Sequence, residues 1–231
     1  MTTAAETINH LLKKYQHRFE PVIDFNPFSE KIIPLDFTSA NTSLTAPIID
    51  NTQVFTQYIE ETLSAKKARY GIGGYMEERT VYARSIHFNT QDGEPRRLHL
   101  GVDIWGPAGT PIYAFMDGTV HSFAFNDHFG DYGATIILSH TLENITFFSL
   151  YGHLSLKNLE GLQPGKFIKK GNHFCDFGAP EDNGHWPPHL HLQLIASMEG
   201  KEGDYPGVAK ISEKEIWLQK IPDANLILNW I

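Results

Sequence analysis

Apolar residues set the first element of the chain: Ile8, Leu11, Leu12 and Tyr15 recur at helical spacing behind a Thr3/Glu6 capping-box pair, so the pattern predicts an amphipathic helix over 3–18. His10 and His17 fall off that stripe, on the exposed side. Over 21–47 the pattern breaks into short apolar pairs punctuated by Pro, Asn, Ser and Thr, which predicts an irregular arm. Val54, Phe55, Tyr58, Ile59 and Leu63 restore the helical period and predict a second helix over 50–69, capped by Asp50 and stopped by Gly71-Ile72-Gly73-Gly74. That glycine cluster lacks the spacing and flanking order of a dinucleotide loop and reads as a helix stop and turn.

Beyond Tyr75 the pattern changes. Residues 81–88 are β-branched and aromatic and predict a strand. Segments 111–116 and 119–125 flank Asp117-Gly118, a hairpin signal, and 134–140 and 145–153 flank Leu142-Glu143-Asn144. Short strands follow at 166–168 and 173–177, with turns at Pro164-Gly165 and Lys170-Gly171. In His189-Leu190-His191-Leu192-Gln193-Leu194 the alternation is strict: both imidazoles take one face and the leucines the other. Ser212-Glu213-Lys214-Glu215 forms another capping-box pattern and predicts a brief helix ended by Pro222. The expected map is a helical and irregular region over 1–74, a β-rich body over 75–197 and a tail over 198–231 with a short helix packing on the body. The fold class is mainly β, an antiparallel sheet or sandwich with N-terminal helices and a short C-terminal helix.

At 231 residues the chain can bury a core without staples. Its single cysteine, Cys175, cannot form an intrachain disulfide and reads as a small buried apolar side chain. Nineteen Lys and Arg against 27 Asp and Glu leave a net charge of −8 with no basic run, which argues against nucleic acid as a partner. No apolar stretch reaches membrane-span length and none near the start resembles a signal peptide. The sequence as written is expected in the cytoplasm, or in the periplasm or outside the cell if the chain has been trimmed. It does not fix an oligomeric state.

His189 and His191, side by side on a strand, invite a metal. His99-Leu100-Gly101-Val102-Asp103 supplies a third nitrogen and an anion, four residues apart, so an extended segment aims them the same way. Gly101 between them lets a substrate or another backbone come close. Two imidazoles and one carboxylate would leave a bound ion with net positive charge, enough to polarise water and a carbonyl. A third histidine segment, Leu150-Tyr151-Gly152-His153-Leu154, places His153 at a strand end as a possible base.

His99-x-x-x-Asp103, Pro107-x-Gly109-Thr110-Pro111, Asp117-Gly118, Tyr151-Gly152-His153-Leu154-Ser155, Pro164-Gly165 with Lys170-Gly171, and His189-x-His191, in that order, resemble the lysostaphin/LytM family of zinc metalloendopeptidases over about residues 96–196. The resemblance implies an antiparallel β-sheet with an open groove and Zn²⁺ held by His99, Asp103 and His191. His153 and His189 would be the catalytic pair. It also implies a peptide substrate, most plainly the peptide bonds of peptidoglycan, attacked by zinc-activated water. In some members a tyrosine shortly before the first ligand contacts the oxyanion; here the nearest upstream is Tyr82. The flanking segments Tyr75-Met76-Glu77-Glu78-Arg79, Asn183-Gly184-His185-Trp186-Pro187-Pro188 and Pro206-Gly207-Val208 resemble a divergent subgroup associated with kinase-like and aminotransferase-like modules.

Other readings compete. A non-catalytic or regulatory binding module could use the same groove, although degenerate relatives of that kind typically lose zinc ligands. A zinc hydrolase of a cytosolic amide keeps the chemistry and changes the substrate. A phosphotransfer scaffold using His153 and His140 leaves His99 and Asp103 unexplained. His140 is expected to bond backbone, His185 to be exposed and Trp186 to pack under its loop. His87, His121, His128 and His173 read as surface or core residues, and Arg96 and Arg97 as solvated or carboxylate-holding.

Overall fold

A computed structural model describes residues 2–228. The last residues of the tail assigned to 198–231 lie outside the described residues. Five α-helices are present among these: α1 (Ala4–Tyr15), α2 (Ala46–Ile49), α3 (Thr52–Ala65), α4 (Lys214–Trp217) and α5 (Asn225–Leu228). The strands are β1 (Ile32–Pro34), β2 (Tyr70–Gly73), β3 (Glu77–Glu78), β4 (Leu98–His99), β5 (Val102–Trp105), β6 (Pro111–Tyr113) and β7 (Gly118–Asn126). They continue with β8 (Gly133–Leu142), β9 (Ile145–Leu154), β10 (Phe167–Ile168), β11 (His173–Asp176), β12 (His189–Ile195) and β13 (Val208–Ala209).

The main sheet runs β1-β2-β5-β12-β9-β8-β7-β10. Every pair in it is antiparallel except β1 with β2. The expected β-rich architecture is therefore the observed one, and residues 32–34 and 70–73 of the N-terminal region add two strands to the same sheet. β3, β4 and β13 form a small second sheet beside it.

The alternation in β12 decides how the sheet is used. Leu190, Leu192 and Leu194 are fully buried on one face, with Val102, Ile104, Ile136 and Leu138, against Ile8 and Leu12 of α1. Thr3 and Glu6 cap α1 reciprocally as the sequence predicts. The opposite face carries the histidines, and α3 covers part of it with Phe55, Ile59 and Leu63 packed near Phe37 and Trp105. The turn at Glu143 and Asn144, both at positive φ, joins β8 to β9 as expected.

Several local expectations give way to long-range contacts. Asn51, not Asp50, caps α3, its side chain accepting from the Val54 N–H, while Asp50 ends α2. Gly71 to Gly73 are strand rather than turn, paired with both β1 and β5. A Cβ on Gly71 would lie 2.4 Å from Leu35, and one on Gly73 2.5 Å from Arg79, so these glycines answer close packing, not chain reversal. Residues 81–88 form two 3₁₀ turns, Val81–Arg84 and Ile86–Phe88, instead of a strand.

Asp117-Gly118 closes no hairpin. β6 pairs with β11, whereas β7 pairs with β8 and β10. The Asp117 carboxylate accepts from the Lys170 N–H at 2.7 Å, and Gly118 makes room for the His140 ring, which a Cβ would meet at 2.7 Å. Ser212 bonds Glu94 rather than capping a helix.

Candidate active site

Four strands, β4, β5, β9 and β12, bring the sequence-predicted residues together. β12 pairs His191 with Asp103 of β5 and with Gly152 of β9, so the three chain segments that carry the histidines lie side by side. His99, at the end of β4, reaches the same point: its Nε2 is 2.9 Å from His191 Nδ1 and 3.2 Å from Asp103 Oδ1, and His191 Nδ1 is 3.1 Å from Asp103 Oδ1. Among the described residues these three are the cluster with metal-ligand composition.

The protons around this cluster follow from its outer partners. His99 Nδ1–H donates to the Gly74 carbonyl at 2.8 Å, which leaves Nε2 bare. His191 Nε2–H donates to Gln193 Oε1 at 3.0 Å, and Gln193 Nε2 donates to the Pro206 carbonyl at 3.0 Å, so the amide cannot turn its nitrogen toward the ring. His191 Nδ1 is then bare as well. Burial opposes the charge of Asp103, yet the neighbouring His99 and the Arg79 guanidinium hold its carboxyl well below the usual range. Three lone pairs therefore converge with no proton between them. Their 2.9–3.2 Å spacing is close to the roughly 3.3 Å expected between ligands on a tetrahedral zinc with bonds near 2.05 Å. The donor set fits a divalent metal, with outer hydrogen bonds fixing each ring in the way that ligating histidines require.

His153 and His189 stand beside it. Both use Nδ1–H to donate to main-chain carbonyls, Asn183 at 2.8 Å and Pro187 at 2.7 Å, which leaves each Nε2 free. His189 stacks on Trp105, ring centroids 3.9 Å apart, and His153 takes φ +62° to present its ring, a conformation a non-glycine residue adopts at local expense. Burial, reinforced for His153 by the neighbouring imidazoles, depresses both, His189 to about 4, so both are neutral at pH 7. All five residues are nearly buried, from 1% exposed at His99 to 6% at His153.

Asp103, His153, His189 and His191 line a recess with an empty volume of about 740 Å³, open solvent included, walled by Tyr82, Phe88, Tyr132, Trp186, Asp131 and Asp204 among others. Tyr82 thus does lie in the pocket, its ring 6.4 Å from that of His99. Trp186 packs as expected and also lines the site; His87, read as surface or core, lines it too. His185 is exposed and stacks on Phe129, and His140 bonds the Asp117 carbonyl and Ser149 away from this pocket's lining. The sequence reading did not single out Gln193, Asn183 or Tyr132. Gln193 was legible, as the third position on the histidine face of β12, but the other two act through tertiary contacts.

Residues 97–204 match the sequence profile of peptidase family M23. They are an M23 peptidase domain. The lysostaphin/LytM-type family indicated by the motifs is the one found. Peptidoglycan DD-endopeptidase ShyC of Vibrio cholerae is 28% identical over 176 residues, 72% of this chain, and the chain spans 35% of that protein's length. Among solved structures, a zinc-containing peptidase from Vibrio cholerae is 25% identical, with 46% of this chain and 29% of that one covered and a TM-score of 0.35. The catalytic domain of lysostaphin from Staphylococcus simulans is 19% identical, with 70% and 96% covered and a TM-score of 0.41.

Proposed function

We propose that this M23 domain is a zinc-dependent endopeptidase that hydrolyses a peptide bond of peptidoglycan. The observation that carries the reading is the proton-free convergence of His99 Nε2, Asp103 Oδ1 and His191 Nδ1 next to two neutral imidazoles with free Nε2 atoms. Those three atoms would hold the zinc. Bound there, the ion supplies Lewis acidity toward the scissile carbonyl and its water nucleophile.

The protein's own part is proton handling. A neutral Nε2 on His153 or His189 accepts the proton of the attacking water, and the imidazolium so formed donates to the oxyanion or to the leaving amine. The carbonyls of Asn183 and Pro187 orient the rings and favour the transient positive charge. Peptidoglycan as substrate is supported by the M23 match and by the named activity of the Vibrio cholerae relative.

A second reading, hydrolysis of a smaller amide, is favoured by the burial of all five residues beneath Tyr82, Phe88 and Trp186. One experiment addresses both: elemental analysis of wild type and His191→Ala, then incubation of each with peptidoglycan and with short acyl-amino-acid amides. About one zinc per chain, lost in the variant, with muropeptide release by wild type alone is the expected result. Zinc with cleavage only of short amides transfers the reading to the smaller substrate. Absence of zinc and of hydrolysis overturns it.

A further inference from the structure

Arg79 lies outside the matched segment 97–204, in the flanking 75–79 stretch, and the sequence reading gave it no role of its own. Its side chain is 1% exposed, yet it carries a full charge into the wall of the pocket. Nη1 donates to Asp103 Oδ2 at 2.5 Å and Nε to Glu77 Oε2 at 2.7 Å. The guanidinium lies over the Phe37 ring, 5.2 Å from its centroid, and Gly73 supplies the space beside Nη2 that any Cβ would fill. The Arg79 N–H also bonds the Arg97 carbonyl at 2.9 Å, which fixes the backbone that carries it.

This arrangement divides the Asp103 carboxylate. Oδ2 belongs to Arg79, and only Oδ1 faces His99 and His191. Glu77, 19% exposed, is already a counter-ion for the guanidinium, so a fold clamp would need no second contact to a fully buried carboxylate. The second contact instead has a consequence at Asp103. With Oδ2 engaged the carboxylate cannot turn to offer both oxygens to an ion, and part of its negative charge is drawn away from the cluster.

We infer that Arg79 is a positioning residue that holds Asp103 to one-oxygen ligation of a divalent metal and keeps the remaining coordination positions open for substrate and water. The inference rests on the reading that His99, Asp103 and His191 hold such an ion. A second cation next to the ion also weakens binding, which predicts an opposite sign of effect from simple structural damage: removing Arg79 tightens metal binding while hydrolysis falls.

The test loads the full chain with Co(II) and compares wild type, Arg79→Met and Arg79→Lys by visible absorption, by competition with a chelator and by hydrolysis. Arg79→Met is expected to show weakened d–d bands from a higher coordination number, several-fold tighter Co(II) binding and a loss of hydrolysis of roughly 10- to 100-fold. Arg79→Lys keeps the charge but cannot bridge Glu77 and Asp103 in one plane, so the same shifts should appear to a smaller extent. Wild-type spectrum and affinity in Arg79→Met overturn the proposal, as does weaker binding with unchanged bands. Should Arg79→Met fail to fold, a wild-type spectrum and affinity in Arg79→Lys does the same. Wild-type protein that binds no Co(II) would instead overturn the metal reading itself, a result distinct from unchanged spectra in the variants.

Discussion

The rings of His153 and His189 face each other with centroids 4.1 Å apart, and each is tied through Nδ1 to a different carbonyl of the 183–188 loop. Two imidazoles this close cannot both be imidazolium in a buried site, so at most one of the pair carries a second proton at a time. Such a pair can take a proton from water on one ring while the other remains a neutral acceptor.

On the proposed reading, replacing either ring with glutamine removes proton transfer and leaves in place the three residues that would hold the metal. His153→Gln and His189→Gln are each expected to lose roughly 10²- to 10⁴-fold in kcat/KM while retaining the metal content of wild type. Elemental analysis beside a hydrolysis assay checks both halves. Activity within tenfold of wild type in both variants would remove the pair from the chemistry.

Gly101 has no room for a side chain. A Cβ there would meet the His191 ring at 2.7 Å and the Leu192 carbonyl at 2.8 Å, and the second contact is to backbone that cannot swing aside. Gly101→Ala is expected to displace His191 from Asp103, weakening metal binding by roughly 10-fold or more. Chelator competition reads the change; affinity equal to wild type would mean that the strand yields without moving the ring.

The contrast between Gly101 and Gly71 shows what could be seen in the chain alone. Gly101 sits between His99 and Asp103, so its close approach was readable from neighbours in sequence. Gly71 and Gly73 face Leu35 and Arg79, contacts that a local reading turns into a helix stop. The period-two alternation of β12 was likewise sufficient to place His189 and His191 on one face, because a strand's side-chain direction is set locally. Arg79 was readable only as part of the flanking 75–79 segment, with no role of its own, and only the fold brings it to Asp103 across 24 positions. Asp117-Gly118 had the composition of a hairpin, but the strands on either side of it pair elsewhere, β6 with β11 and β7 with β8 and β10, and Asp117 bonds Lys170 and His140.

His140 sets a pH dependence apart from the His99–Asp103–His191 cluster. Burial lowers it to about 4, with its Nδ1–H held by the Asp117 carbonyl and its Nε2 facing the Ser149 hydroxyl. Between pH 6.5 and about 4 the unfolded chain binds a proton at this position that the folded chain refuses. Stability from this residue is thus complete above pH 6.5 and falls as the pH is lowered through that window, by on the order of 3 kcal/mol at its lower end. Denaturant unfolding of wild type and His140→Gln at several pH values should give a shallower slope in the variant, by about one proton. Parallel slopes would assign the dependence to other groups.

Removing the ion should destabilise the fold through the same three atoms that would bind it. Without a cation, His99 Nε2, His191 Nδ1 and Asp103 Oδ1 hold bare lone pairs 2.9–3.2 Å apart, and the outer carbonyl and amide partners prevent either ring from turning its N–H inward. An ion that binds the folded chain alone stabilises it by about 2.7 kcal/mol at a free concentration 100 times its Kd. Chelation is accordingly expected to lower Tm, and added zinc to restore it in proportion to the logarithm of its concentration. In His191→Ala one lone pair is gone, so both the chelator-induced loss and the zinc-dependent rise should shrink together. If chelation leaves Tm unchanged in wild type, the converging lone pairs are relieved by other means, and the proton positions assigned through Gly74 and Gln193 are wrong.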